Sequence, residues 1–145
     1  MKGLIQRVSE ASVTVDGSVV GQIEQGILLL LGVEKGDDQQ SADRLLNKVL
    51  SYRIFDDESG KMNLSLKDIK GALLIISQFT LVADTKKGLR PGFSLGASPE
   101  HGLYLYNYFV ERANVVHAKI ESGQYGADMK VSLLNDGPVT FLLEV

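Results

Sequence analysis

Cysteine and tryptophan are both absent from the chain, and histidine occurs only twice. Without a thiol there is no disulfide framework, no thiolate zinc site and no cysteine nucleophile. The two histidines, His101 and His117, have no carboxylate or second histidine at metal-ligand spacing, so both read as structural or solvated and no metal is expected. Gly32 to Gly36 lacks the Walker spacing and its lysine–hydroxyl pair, and no GxGxxG follows a strand candidate, which sets aside nucleotide-driven chemistry and leaves no cofactor to expect. No apolar run approaches the roughly 20 residues that span a bilayer, and the first residues, MKGLIQRVSEASV, carry no basic stretch followed by a long apolar core. A cytoplasmic protein without a membrane partner is expected. Excess positive charge is lacking too: 15 Lys and Arg stand against 18 Asp and Glu, for a net charge of −3. A broad positive field that coats nucleic acid is thereby excluded, and no DNA partner is expected, whereas a small local RNA contact stays open.

What is present is enough apolar residue, 44% of 145, to bury one core, and the expectation is one domain over residues 1–145. Ala11 to Val15 alternates strictly and meets Asp16-Gly17, the dipeptide that accepts positive φ in a tight hairpin. Val19, Val20 and Ile23 continue the return strand. Gly26 to Val33 is apolar on both faces and bounded by glycine, as a buried central strand is. Ala42, Leu45, Leu46, Val49 and Leu50 then fall at helical spacing, with Asp37 or Asp38 placed to cap. Arg53-Ile54-Phe55 returns to extended structure, Asp57 to Gly60 turns, and Ala72 to Ile76 is the strongest strand candidate. Ser98-Pro99-Glu100 opens a second helix reaching about Ala113, its apolar positions being Leu103, Tyr106, Val110 and Ala113, with Tyr104 and Tyr108 widening the face. The tail reads as two strands, Met129 to Leu134 and Val139 to Val145, joined by a turn at Asn135-Asp136-Gly137-Pro138. Hairpins with two main covering helices indicate a mixed α/β layer structure.

Candidates for chemistry are few. No base stands near any serine or threonine to make a triad. Asp56, Asp57 and Glu58 read more simply as a solvated turn than as an acid/base pair. Two segments resist a plain reading. Ser77-Gln78-Phe79-Thr80 places three hydrogen-bonding side chains at the end of a wholly apolar strand, where a structural sequence would continue with β-branched residues. Gly137-Pro138 sits in a turn between strands, where an ordinary hairpin turn is the alternative.

Taken together, Ser77-Gln78-Phe79-Thr80-Leu81 and Asn135-Asp136-Gly137-Pro138-Val139-Thr140 resemble the paired signature of the D-aminoacyl-tRNA deacylases. The likeness also covers Ile5 to Val8, Leu31-Gly32-Val33, Arg53-Ile54-Phe55, Lys61 to Leu64, Gly96 to Pro99 and Ala127-Asp128-Met129. The resemblance implies a three-layer β/β/α sandwich with mixed sheets, an aminoacyl-tRNA substrate, and a homodimer in which Gly137 and Pro138, joined by a cis peptide, enter the partner's active site. It puts the substrate ester near the backbone amides of Phe79 and Thr80, with Ser77 and Gln78 lining the pocket. It assigns Arg7 to holding the Gly-Pro loop and Met129 to the pocket wall. Thr80 has been proposed as a nucleophile in the family; the absence of a nearby base favours assistance by the substrate's own 2′-hydroxyl. Lys86, Lys87 and Arg90 form the densest basic patch and are candidates for acceptor-stem phosphates, a solvated loop being the alternative. Gly92 departs from the serine expected of the family. Two other readings stay open at this stage: a catalytically silent domain that captures aminoacyl-tRNA ends, and a small-molecule esterase.

Overall fold

The computed structural model describes residues 1–145. Eight strands, β1 (Lys2–Val15), β2 (Ser18–Ile23), β3 (Gly26–Gly32), β4 (Phe55–Asp56), β5 (Met62–Leu64), β6 (Ala72–Ser77), β7 (Ile120–Ser122) and β8 (Lys130–Glu144), combine with three α-helices, α1 (Gln39–Ser51), α2 (Leu66–Ile69) and α3 (Pro99–Val116). The main sheet runs β2-β1-β3-β6-β7, and β8 pairs with the other edge of β1; β4 and β5 form a separate pair. β3–β6 and β6–β7 are parallel and the rest of the sheet is antiparallel.

Alternation along β3 and β6 produces two cores. Ile27, Leu29, Leu31, Leu73 and Ile75 face α1 and α3, where they meet Leu45, Leu46, Val49, Leu50, Leu105 and Phe109. Leu28, Ala72, Leu74 and Ile76 face the other way and meet Val8, Ala11, Val13 and Ile23 of β1 and β2. β1 therefore belongs to both cores: Ile5 lies under the helices, and beyond Val8 the strand has turned to cover the back of β3 and β6. The result is the β/β/α layering. Each buried large aliphatic side chain contributes about 1.5–3 kcal/mol, so the doubly buried β3 and β6 are the most firmly seated strands. Gly26 permits their junction, since a Cβ there would lie 1.9 Å from the Ala72 carbonyl oxygen.

α1 is capped by Asp38, whose carboxylate accepts the Ser41 amide hydrogen at 2.7 Å. Asp37 is used otherwise, accepting from the Met1 ammonium at 2.5 Å and the Glu34 amide at 2.6 Å. α2 was not foreseen, although Ser65 and Asp68 form a reciprocal capping box whose S-x-x-D pattern is visible in the sequence. α3 runs to Val116, a turn-length beyond Ala113, and its buried face is Gly102, Leu105, Tyr106, Phe109 and Ala113. Leu103 and Tyr104, expected on the apolar face, are exposed, because the sheet takes the adjoining stripe through Leu105 and Phe109.

The expected hairpin of the tail is replaced by one strand. Val131 to Leu134 and Thr140 to Glu144 both pair antiparallel with β1, in the same direction along it. A hairpin would reverse the chain, and here the chain continues. Between the two ladders Gln6 faces Thr140 and Val8 faces Asn135, so the single residue Arg7 stands opposite Asp136, Gly137, Pro138 and Val139. That mismatch forces the Gly-Pro segment outward as an excursion from the strand.

Candidate active site

β6 leaves the core at Ser77, where the chain turns into a 3-10 segment, Phe79–Val82. Two amides at that turn have no carbonyl or side-chain acceptor within the chain, those of Phe79 and Thr80. The opening amides of a helical turn lack an upstream carbonyl in register, which leaves these two donors free at the end of the strand. Thr80 is exposed, and its hydroxyl oxygen accepts from Gln78 Nε2 at 2.5 Å. An amide donor cannot take a proton, so this contact orients the hydroxyl without activating it.

A cleft of about 590 Å³ opens here, with Ile76, Ser77, Gln78, Phe79 and Thr80 on one side and Tyr125 to Met129 on the other. Four of the residues singled out from the sequence, Ser77, Gln78, Phe79 and Thr80, thus share one wall, and Met129 lies on the facing one. The walls diverge at a tyrosine. Tyr106 is buried, and its hydroxyl offers its single proton to the Ile75 carbonyl at 3.0 Å and the Gly123 carbonyl at 3.2 Å, while the Gly123 amide donates to Ile75 at 2.9 Å. Burial pushes this phenol up to about 12, so it stays a donor across the working range. Tyr125 packs on the Tyr106 ring with centroids 5.7 Å apart. Sequence reasoning missed Tyr125, which lines the cleft, and read Tyr106, buried behind it, only as a face of the helix.

Arg7, Gly137 and Pro138 do not line this cleft. Arg7 is buried with its guanidinium spread over the root of the excursion: Nε donates to the Asp136 carbonyl at 2.7 Å and a terminal nitrogen to the Ile54 carbonyl at 2.8 Å. Asp56 and Asp136 carboxylates lie 3.5 and 3.9 Å from it. Asn135, not singled out from the sequence, closes the base of the loop by accepting the Val139 amide hydrogen at 2.8 Å. The Gly137–Pro138 peptide is cis, and Gly137 has φ of +154°, where a Cβ would meet Val139 N at 2.6 Å. Gly137 and Pro138 are exposed.

Lys86, Lys87 and Arg90 also lie outside the cleft, on an exposed loop. Gly92, at the place of the expected serine, ends that loop in a two-bond bridge with Asp84. The histidines sit away from the site as structural groups, His101 Nε2 at 2.8 Å from the Asp37 carbonyl and His117 Nε2 at 2.7 Å from that of Gly71. Asp57 accepts the Ser59 and Lys61 amide hydrogens within its turn. A second cleft, of about 510 Å³, opens between Gln22 to Gln25 and Ala118 to Glu121 and holds none of the residues selected from the sequence. No helix is long and apolar enough to cross a membrane.

The sequence model for D-Tyr-tRNA(Tyr) deacylase matches residues 4–144. The D-aminoacyl-tRNA deacylase of Pseudoalteromonas atlantica (strain T6c / ATCC BAA-1087) is 63% identical over 145 residues, the whole of both chains. That of Stutzerimonas stutzeri (strain A1501) is 61% identical over 144 residues, 99% of each. Among solved structures, the c-Myc DNA Unwinding Element Binding Protein superposes with a TM-score of 0.96 at 40% identity, over 100% of this chain and 99% of that one. A structure described as a probable eukaryotic D-amino acid tRNA deacylase superposes at 0.86 and 16% identity, over 99% and 98%, a likeness of fold alone.

Proposed function

The chain belongs to the D-Tyr-tRNA(Tyr) deacylase family, and on that premise we propose that it hydrolyses the ester of D-aminoacyl-tRNA, releasing free D-amino acid and tRNA and rejecting the L-aminoacyl form. The observation that carries the reading is the cleft at the end of β6, where two unpartnered amides and three hydrogen-bonding side chains terminate an otherwise apolar strand. Hydrolysis of an ester passes through a tetrahedral oxyanion, and the Phe79 and Thr80 amides are a donor pair suited to it. Ser77 and Gln78 line the space beside it. Thr80 has no base within reach, so the attacking water is assisted by the 2′-hydroxyl of the terminal adenosine, which is held beside the ester at high effective concentration.

Chirality is read across a homodimer. The Gly137–Pro138 excursion stands away from the cleft of its own chain and projects from β8, an edge strand that pairs with β1 alone. Leu134, Phe141 and Leu142 along it are exposed, and a long apolar edge calls for a covering partner. In the dimer the excursion enters the partner's cleft. Its backbone carbonyls accept from the substrate α-amino group and leave no room for an L side chain, while a D side chain points outward. Met129 forms part of the opposing wall, and Arg7 fixes the root of the excursion. Because backbone does the selecting, side-chain identity is barely read. Glycine escapes steric rejection, so glycyl-tRNA mischarged on the alanine tRNA is also cleaved. The work is cytoplasmic proofreading of translation.

Hydrolysis of matched D-tyrosyl-tRNA and L-tyrosyl-tRNA tests the reading: release of D-tyrosine alone is expected. Release of neither leaves a capture domain, and release of both defeats the steric account. For the mechanism, Thr80→Ala retains most of its activity whereas a 2′-deoxy terminal adenosine is nearly inert; the opposite pattern restores Thr80 as the nucleophile.

A further inference from the structure

Asp84 to Gly92 forms an arch with a fixed base. Asp84 N donates to the Gly92 carbonyl at 2.7 Å and Gly92 N to that of Asp84 at 2.9 Å, and the Asp84 carboxylate accepts the Lys86 amide hydrogen at 3.0 Å. On one side the arch grows out of the 3-10 turn that begins at Phe79. On the other it runs into Phe93, whose ring stacks on that of Phe79 with centroids 4.7 Å apart and planes 29° from parallel. The arch is thus joined at both feet to the rim of the cleft.

Two independent features mark its surface. Lys86, Lys87 and Arg90 lie within five residues in a chain of net charge −3, the densest cluster of cations along it, and all three are exposed. The apolar side chains of the same stretch face solvent as well: Leu89 is fully exposed at the apex, and Phe93 and Phe79 remain 41% and 49% exposed. Cations interleaved with exposed aromatic and aliphatic side chains are the surface that single-stranded nucleic acid takes, phosphates on the cations and base faces on the apolar groups. Leu89 is the most exposed of the chain's large apolar side chains.

Resting on the deacylase reading, we infer that the Asp84–Gly92 arch and Phe93 form a track for the unpaired RNA leading into the cleft. It engages the nucleotides that precede the terminal adenosine, with Lys86, Lys87 and Arg90 on their phosphates and Phe93 and Leu89 against base faces. The cleft itself holds only the aminoacylated adenosine.

The test compares two substrates, full D-tyrosyl-tRNA and D-tyrosyl-adenosine, on wild type, Leu89→Ser and the triple variant Lys86→Gln, Lys87→Gln, Arg90→Gln. All changes are at exposed positions of the arch, so folding is spared. On tRNA, Leu89→Ser raises KM about fivefold with kcat held, and the triple variant lowers the salt dependence of log(kcat/KM) by about 2 per decade of salt. On D-tyrosyl-adenosine both variants match wild type. Equal losses on the two substrates, or no loss on tRNA, overturn the track while leaving the deacylase reading intact. Wild type inert on both substrates overturns that reading and the track with it.

Discussion

β6 is hydrogen-bonded on both sides, to β3 and β7, and its first five residues are buried. β8 is more than twice as long, pairs with β1 alone and is exposed over most of its length. Each strand carries one half of the proposed chemistry. β6 delivers Ser77 to Thr80 from between two cores, so that half is positioned by packing. β8 offers Gly137 and Pro138 from an edge, and that half is positioned by a handful of polar contacts from Arg7 and Asn135. The difference separates stability from function: damage to β6 should unfold the protein, whereas damage at the excursion should leave a folded protein that has lost its selector.

The largest effect tests the buried side. Leu73→Ala costs about 2–5 kcal/mol of stability, whereas Leu142→Ala, at a position 52% exposed, changes the stability of the isolated subunit by less than about 0.5 kcal/mol. Urea unfolding of the two variants checks this, and similar losses would dissolve the contrast. On the other side, Gly137→Ala strains a backbone at φ +154° and crowds Val139. The expected result is a fall of about 100-fold in kcat/KM for D-tyrosyl-tRNA, since misplacement near an ångström costs that much, with the urea midpoint near that of wild type. Arg7→Lys keeps the charge but not the fork that bonds Asp136 and Ile54 together; about a tenfold loss in kcat/KM is expected, because an ammonium cannot reproduce the planar geometry. A drop in stability without a drop in activity would make Arg7 a core residue only.

The smallest effect lies at the junction of the cleft walls. Tyr106→Phe removes one buried hydrogen bond and about 1 kcal/mol. The Tyr106 pKa is raised on folding, so its contribution is fully present below the ordinary value of 10.0 and is lost as pH climbs from there through about 12. Tyr108 and Tyr125 are raised too, each chiefly by desolvation, so Phe at 106 reduces the alkaline loss of stability and does not abolish it. Urea midpoints at pH 8 and 11 measure the change.

Much of the fold was legible in local pattern. Asp16-Gly17 does turn β1 into β2, and both residues have positive φ. The doubly apolar runs of β3 and β6 are buried on both faces, and the helical spacing from Ala42 to Leu50 is the buried stripe of α1. The SQFT segment stood out because polar side chains at the end of an apolar strand have a local cost that can be read residue by residue. Three things were not legible. The tail read as a hairpin because Asn-Asp-Gly-Pro is turn chemistry, and only β1, some 130 residues earlier in the chain, makes it an excursion within one strand. The face of α3 was misplaced because its hydrophobic residues encircle much of the helix, leaving the sheet to choose which stripe to bury. The tyrosine junction depends on Ile75 and Gly123 meeting across β6 and β7, a distance no local pattern encodes.

By itself, the sequence determined the element types, the mixed α/β class, the absence of thiol chemistry and the two segments on which the proposed function draws, since each rests on periodicity or on residue chemistry within a few neighbours. The resemblance implied, and tertiary structure decided, that Ser77 to Thr80 share a cleft with Met129, that Arg7 grips the root of Gly137–Pro138, and that this loop stands outside its own cleft. Those outcomes are pairings between residues far apart in the chain, and the register of β1 against β8, set by burying one face of each, is what selects them.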